Sequence, residues 1–235
     1  DCEDTSDLVY VVDRDSQHLY LYDPITHDFT QMGTLDCSIW GTPTSMAVSR
    51  DGFAYVRFST DDLYAVDLTT MSCEETEYNT DFGAFGMGYA TQDGETWRDE
   101  LFIANKTTLA KVNTLDWSVQ TMGTLPSQSE LTGNADGELW AFLPLEKPAA
   151  LVQLDKETGA ELYRITVSDF PDPSGIDTFA FATWGGDFYL FVRSYGMGES
   201  TDVYQVKPDG SMTKVRDDIG FNIVGAGVST CAPTK

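Results

Sequence analysis

Basic residues are scarce in this chain. Of its 235 residues, 14 are lysine or arginine against 38 aspartate or glutamate, a formal net charge of −24. A partner that binds through its phosphates needs a Lys or Arg at each contact, so nucleic acid and anionic membrane are excluded as direct partners. Histidine is scarcer still, with only His18 and His27. That leaves little for a nucleophilic hydrolase, which sets a Ser or Cys beside a positioned imidazole. No GxSxG, P-loop, HExxH or GxGxxG context occurs. Runs of 18 or more apolar residues are also missing, so no membrane-spanning helix and no direct membrane insertion are expected. A signal peptide is lacking and residue 1 is Asp, which implies a processed N-terminus or an excised fragment.

What is present is a repeat. An apolar strand ending in a turn recurs as LYLYDPITHDF from Leu19, LYAVDLTTMSC from Leu63, LAKVNTLDWSV from Leu109 and LVQLDKETGAEL from Leu151, with a weaker copy, VYQVKPDGSMT, from Val203. The turn-opening residues Asp23, Asp67, Asn113, Asp155 and Lys207 are 44, 46, 42 and 52 apart. A second phrase precedes each later copy: SRDGFAYVRF, ATQDGE…ELFIAN, NADGELWAFL and WGGDFYLFV. Each reads as strand, tight turn, strand. Four short strands per unit at this period predict an all-β, five-bladed β-propeller of four-stranded antiparallel blades.

The blades fall at 8–35 plus 223–230, 44–78, 85–125, 129–167 and 177–216, forming a single domain over 1–235. The C-terminal strand is expected to complete blade 1 and close the ring, which leaves no free edge at the seam. The innermost strands, SMAV from Ser45, GMGY from Gly86, ELTG from Glu130, AFAT from Ala180 and GAGV from Gly225, carry small residues where five strands crowd one axis. Met46, Met87, Leu131 and Phe181 are expected to point between blades as core. The pairs Asp51-Gly52, Asp93-Gly94, Asp136-Gly137 and Gly185-Gly186 predict two-residue hairpin turns at positive φ. The turn aspartates Asp23, Asp67 and Asp155 read as residues that hydrogen-bond their own turn.

Four cysteines allow three pairings. Cys2 precedes the first strand and Cys231 follows the last, so a Cys2–Cys231 bridge would replace the covalent turn that blade 1 lacks. Such a bridge is worth roughly 4–5 kcal/mol in the chain-entropy model, less any strain. Cys37 and Cys73 then form the second pair, tying blade 1 to blade 2. Two disulfides imply an oxidising compartment, hence a secreted or cell-surface protein; four reduced, buried thiols are the alternative. With no CxxC, and with the histidines in the outer strands of blade 1 and expected at the surface, a zinc site is not supported.

The acidity suits a solvated, self-repelling surface in saline or extracellular conditions. It also admits calcium at carboxylate-rich turns. The candidates are Asp13 and Asp15 in DRDS, STDD at Ser59–Asp62, and Asp172 and Asp177 in FPDPSGID, although none matches an EF-hand loop.

Ligands of a propeller are expected where the connections into the innermost strands converge. Here those connections are SIWGTPTS, NTDFGAFG, LPSQSE, DFPDPSGID and GFNIVG. Trp40, Phe82, Phe85, Phe170 and Phe221 beside Thr42, Asp81, Gln128, Glu130, Asp177 and Asn222 would set aromatic platforms next to polar groups. A glycan or a protein at this axial face suits that mixture, with Trp40, Thr42, Phe82, Glu130, Asp177 and Asn222 as the ligand-binding set. The alternative is that the aromatics plug the end of the core. Glu130 and Asp177, with Asp81, are also the carboxylates that a metal-independent glycosidase would use. Asn105-Lys106-Thr107 is a glycosylation sequon, meaningful only in a secretory context.

The phrases AFGMGY (84–89), ELTGNADGELWAF (130–142), TWGGDFYLF (183–191) and IVGAGVSTCAP (223–233), with Asp1-Cys2 and the Cys37/Cys73 pair, resemble a group of uncharacterised exported bacterial propeller-like proteins. More distantly the repeat is similar to the YVTN, SMP-30 and kelch-like propellers, without the acid-lined metal site of the SMP-30 lactonases. The resemblance implies an exported single propeller and carries no activity. The expectation is therefore an extracellular binding or assembly module. The alternatives are a carbohydrate-active enzyme using axial carboxylates, or a self-associating subunit of a surface filament or layer.

Overall fold

The structure is a computed structural model that describes residues 8–38, 40–92, 98–196 and 198–235. Its strands form five four-stranded antiparallel sheets. Blade 1 joins β1 (Val9–Asp13), β2 (His18–Tyr22) and β3 (Phe29–Thr34) to the last strand, β20 (Ile223–Gly227), in the order β20-β1-β2-β3. Blade 2 is β4 (Pro43–Val48), β5 (Phe53–Phe58), β6 (Leu63–Asp67) and β7 (Cys73–Glu75). Blade 3 runs β8 (Gly86–Thr91), β9 (Asp99–Ala104), β10 (Thr108–Val112) and β11 (Val119–Thr124). β12 (Glu130–Gly133), β13 (Leu139–Leu143), β14 (Ala150–Leu154) and β15 (Glu161–Thr166) make blade 4. Blade 5 is β16 (Ile176–Trp184), β17 (Asp187–Ser194), β18 (Asp202–Val206) and β19 (Met212–Arg216). The innermost strands β20, β4, β8, β12 and β16 are neighbours in that order, and β16 returns to β20. The fold is a five-bladed propeller closed by its C-terminal strand.

Side-chain alternation within each strand explains why the ring holds together. On β1, Val9 and Val11 face blade 5 with Phe191 and Ala226, while Tyr10 and Val12 face blade 2 with Met46 and Val56. Both faces are buried, so the strand reads as an uninterrupted apolar run. The same division produces one apolar cluster per blade interface. Met46, Met87, Leu131 and Phe181 lie in these clusters, almost fully buried. Small residues on the innermost strands allow close approach: a Cβ on Gly133 would stand 2.4 Å from the Tyr89 carbonyl oxygen of β8.

In blades 1 to 4 the turns between the third and fourth strands share one geometry. The side chains of Asp23, Asp67 and Asp155 each accept N–H bonds from residues two and three further on, and Asn113 accepts from Leu115 N. The backbone N–H of His27, Met71, Trp117 and Gly159 closes each turn onto the carbonyl of its opening residue. These four residues sit at φ 62°, 61°, 57° and 69°. The inner hairpins differ from expectation. Ser49 N bonds Phe53 O and Gly52 N bonds Ser49 O, so Arg50, Asp51 and Gly52 form a three-residue connection with only Gly52 at positive φ. Asn134 to Glu138 repeats this around Gly137. Gly185-Gly186 has both residues at positive φ, and Asp93-Gly94 lies outside the described residues.

Cys37 and Cys73 are bonded, joining the stretch after β3 to the start of β7. Cys231 is also disulfide-bonded; Cys2, its expected partner, lies outside the described residues. No described helix is long and apolar enough to cross a membrane. His18 and His27 are half-buried in blade 1, where their Nδ1 atoms meet Tyr20 Oη and Tyr22 Oη.

Candidate functional site at the axial mouth

The innermost strands all begin at one end of the ring, and there a cavity of about 210 Å³ opens on the axis. Pro43 and Thr44 open β4, Glu130 opens β12, Asp177 and Thr178 lie at the start of β16, and Val224 lies at the start of β20. Arg14, which follows β1, and Gln128 complete the polar lining. Glu130 and Asp177 thus share one cavity.

Glu130 reaches the axis because the adjoining strand β8 begins with glycine: a Cβ on Gly86 would stand 2.8 Å from Glu130 Cδ. Its Oε2 accepts a bond from Ser45 Oγ at 2.9 Å, and the Met87 N–H also points to it. Burial dominates, however, and lifts the Glu130 carboxyl well above its ordinary 4.5 despite these donors and the nearby Arg57. Arg57 is itself buried, bonded to Thr44 Oγ1 at 2.8 Å and paired with Asp61, with its guanidinium 5.1 Å from the Phe85 ring centre.

Asp177 is the opposite case. Burial pushes its carboxyl up, but the Tyr195 hydroxyl, Arg14 and Arg193 together outweigh this and hold it below the ordinary 3.8. Tyr195 Oη donates to Oδ1 at 2.7 Å, and Arg193 Nη1 donates to Oδ2 at 2.7 Å. Arg14 holds the same oxygen loosely, at 3.4 Å, and also meets Asp15 at 3.4 Å. Tyr195 is 67% exposed, tied to the cavity-lining Asp177 only through its hydroxyl. Several buried polar atoms at this end of the molecule have no partner: Thr178 Oγ1, Ser127 Oγ, Ser129 Oγ, Asn222 Oδ1 and Arg57 Nε.

The remaining sequence candidates divide. Trp40 is 86% exposed on the connection into β4. Thr42, also exposed, exchanges bonds with Ser59. Phe82, Phe85, Phe170 and Phe221 pack inward; Phe82 meets Phe85 edge-on and Phe221 stacks on Tyr20 at 4.3 Å. They plug the core and do not line the cavity. Asn222 bonds Asp15 through Nδ2 and Asp13 through its backbone N–H. Asp13 also accepts from Ser16, and Asp172 caps the short turn Pro173–Gly175 while facing Lys147. Among the described residues no group of three or more acidic, His or Cys side chains converges as a metal site would require. Asn105 is committed to its own turn: Oδ1 accepts from Thr107 and Thr108 N–H, and Nδ2 donates to Phe82 O.

Arg14, Thr44, Thr178, Arg193 and Tyr195 were not singled out from sequence. Arg193 and Tyr195 belong to the end of β17 and its turn, whose meeting with Asp177 depends on the β16–β17 register. The only available signal was that arginines are rare in so acidic a chain, and three of the seven gather here. Toward the opposite end of the ring, Arg50 and Asp99 form a buried pair at 2.7 Å, which Thr230 bridges, and both line a cavity of about 620 Å³; Lys156 donates to Thr91 O at 2.8 Å.

No family model matches the chain, and no curated protein matches it. Solved structures do. One is a protein of unknown function from Bacteroides caccae, 11% identical, covering 93% of this chain and 97% of that one, with a TM-score of 0.54. At that identity the likeness shows the fold alone. The finer resemblance to YVTN, SMP-30 and kelch-like propellers rests on the sequence phrases and has no family match behind it.

Proposed function

We propose that the chain is an exported binding module whose axial mouth holds one ring of a glycan. The observation that carries this reading is an exposed aromatic ring tied to the wall of a polar cavity: Tyr195, whose hydroxyl bonds the cavity-lining Asp177. A sugar offers an apolar ring face and a rim of hydroxyls, which match an aromatic platform beside fixed donors and acceptors. The Cys37–Cys73 bridge supports placement outside the cytoplasm, on the secreted or cell-surface side. Glycan-array screening followed by calorimetry tests the reading. Binding that drops at least tenfold in Tyr195→Ala supports it; a glycan that binds equally well to Tyr195→Ala, or no bound glycan at all, rejects it.

A second reading has its own support. Glu130 and Asp177 line one cavity with their proton affinities driven in opposite directions, as in an acid and base pair. Hydrolysis of a polysaccharide that is abolished by Glu130→Gln would favour an enzyme over a binding module. Against this reading, Asp177 is already engaged by Tyr195 and two arginines.

A further inference from the structure

Resting on the glycan reading of the axial mouth, we infer that the sugar held there carries a carboxylate, which Arg14 and Thr178 receive. The reasoning starts from what the cavity offers. Its single firmly ionised acid, Asp177, is already satisfied, with Oδ1 taken by Tyr195 and Oδ2 by Arg193, each at 2.7 Å. Arg14 is different. Both its contacts are 3.4 Å long, and 29% of its side chain is open to solvent beside the cavity. Thr178 is 8% exposed and lines the same cavity, and its Oγ1 has no partner. A buried hydroxyl left unpaired costs free energy until a ligand atom meets it.

Arg14 brings a planar fork of N–H donors to the cavity and Thr178 an O–H. Both side chains meet a ligand as donors, and the group complementary to them is rich in acceptor oxygens. A carboxylate on a pyranose ring supplies two of them beside a face that can rest on Tyr195. The net charge of −24 repels such a ligand at long range, so recognition must come from these short contacts, inside a Debye length of about 10 Å.

The test titrates the full chain at neutral pH with trigalacturonic acid, with its methyl ester, and with neutral galactotriose. Expected is binding of the free acid at least tenfold tighter than of the ester or the neutral sugar. Arg14→Gln should weaken the acid at least tenfold, Arg14→Lys less, and Thr178→Val several-fold, with melting temperatures showing that each variant folds. Equal binding of neutral and acidic sugars, sensitive to Tyr195→Ala, overturns the carboxylate assignment and leaves the glycan reading standing. A short peptide that binds through its terminal carboxylate while no sugar binds overturns both, as does no binding by any probe. Acid binding unchanged in Arg14→Gln and Thr178→Val also overturns the assignment.

Discussion

The backbone of Gly123 on β11 lies directly beneath the carbonyl of Thr158 in the next blade: a Cβ built on Gly123 would stand 1.6 Å from that oxygen. The contact comes from the turn geometry that repeats around the ring. The turns of blades 2 and 4 reach back to the outer strand of the preceding blade, and at Gly123 the turn meets it with backbone rather than a side chain. At Gly33 the equivalent neighbour is Met71, whose side-chain carbons would lie 3.4 Å from an added Cβ.

Gly123→Ala should therefore destabilise the protein by about 3 kcal/mol or more, because the obstruction is main chain and cannot swing aside. Gly33→Ala should change stability by less than about 1 kcal/mol, since Met71 is flexible and alanine favours the strand. Chemical denaturation of the two variants reads this directly. Equal losses would mean that the turn does not latch onto the outer strand.

The raised affinity of Glu130 for a proton makes its effect on stability pH-dependent in a definite direction. The folded state holds that proton more tightly than the unfolded chain, so the contribution is complete below the ordinary 4.5 and is lost as pH rises toward the higher folded value. Glu130→Gln keeps the shape and the Ser45 bond without the charge. Relative to the wild type, the variant should gain stability as pH increases from about 4.5. Melting curves across a pH series would show the gap opening; a constant gap would refute the burial effect.

Asp177 should behave oppositely. Its lowered proton affinity contributes stability above the ordinary 3.8 that is lost as pH falls through the lower folded value. Asp177→Asn should cost about 1.5–3 kcal/mol at neutral pH through its bonds to Arg193 and Tyr195. It should also remove this part of the acid-induced loss. Unfolding measured between neutral pH and strong acid would reveal both effects, and an unaltered acid limb would count against the pairing.

Cleaving the Cys37–Cys73 bridge releases a loop whose ends are 36 residues apart. In the chain-entropy model that separation corresponds to roughly 3–4 kcal/mol. Cys37→Ser with Cys73→Ser should lower the melting temperature accordingly, while blade 2 retains its strands by circular dichroism. An unchanged melting temperature would show that the unfolded state is not constrained by this bridge.

The scaffold was legible because its determinants are local. An aspartate that accepts N–H bonds from residues two and three further on needs no distant partner, so Asp23, Asp67 and Asp155 announced their turns. Glycines and alanines on strands flanked by fixed turns likewise announced the crowded axis. The hairpins around Gly52 and Gly137 differ from the expected two-residue turns because a dipeptide does not reveal whether a further residue precedes it in the loop. At the mouth, Glu130 and Asp177 could be singled out as acids opening inner strands. Arg14, Arg193 and Tyr195 could not, because Arg14 follows β1 of the first blade while the other two lie at the end of β17 and its turn in the fifth. The aromatics Phe82 and Phe221 gave the same signal as Trp40, and only packing distinguishes a ring that fills the core from one that faces solvent.

The seam in blade 1 has a consequence for biogenesis. β1 lies between β2 and β20, which are separated by almost the entire chain. Until β20 emerges, one edge of β1 presents unpaired N–H and C=O groups and its apolar side chains lack their cover, the condition under which strands recruit strangers. Two unfinished copies could then exchange β20, each completing the other's first blade with the same ladder of bonds. The interval of greatest vulnerability to entanglement therefore precedes closure, and slowing release of the final strand should yield swapped dimers.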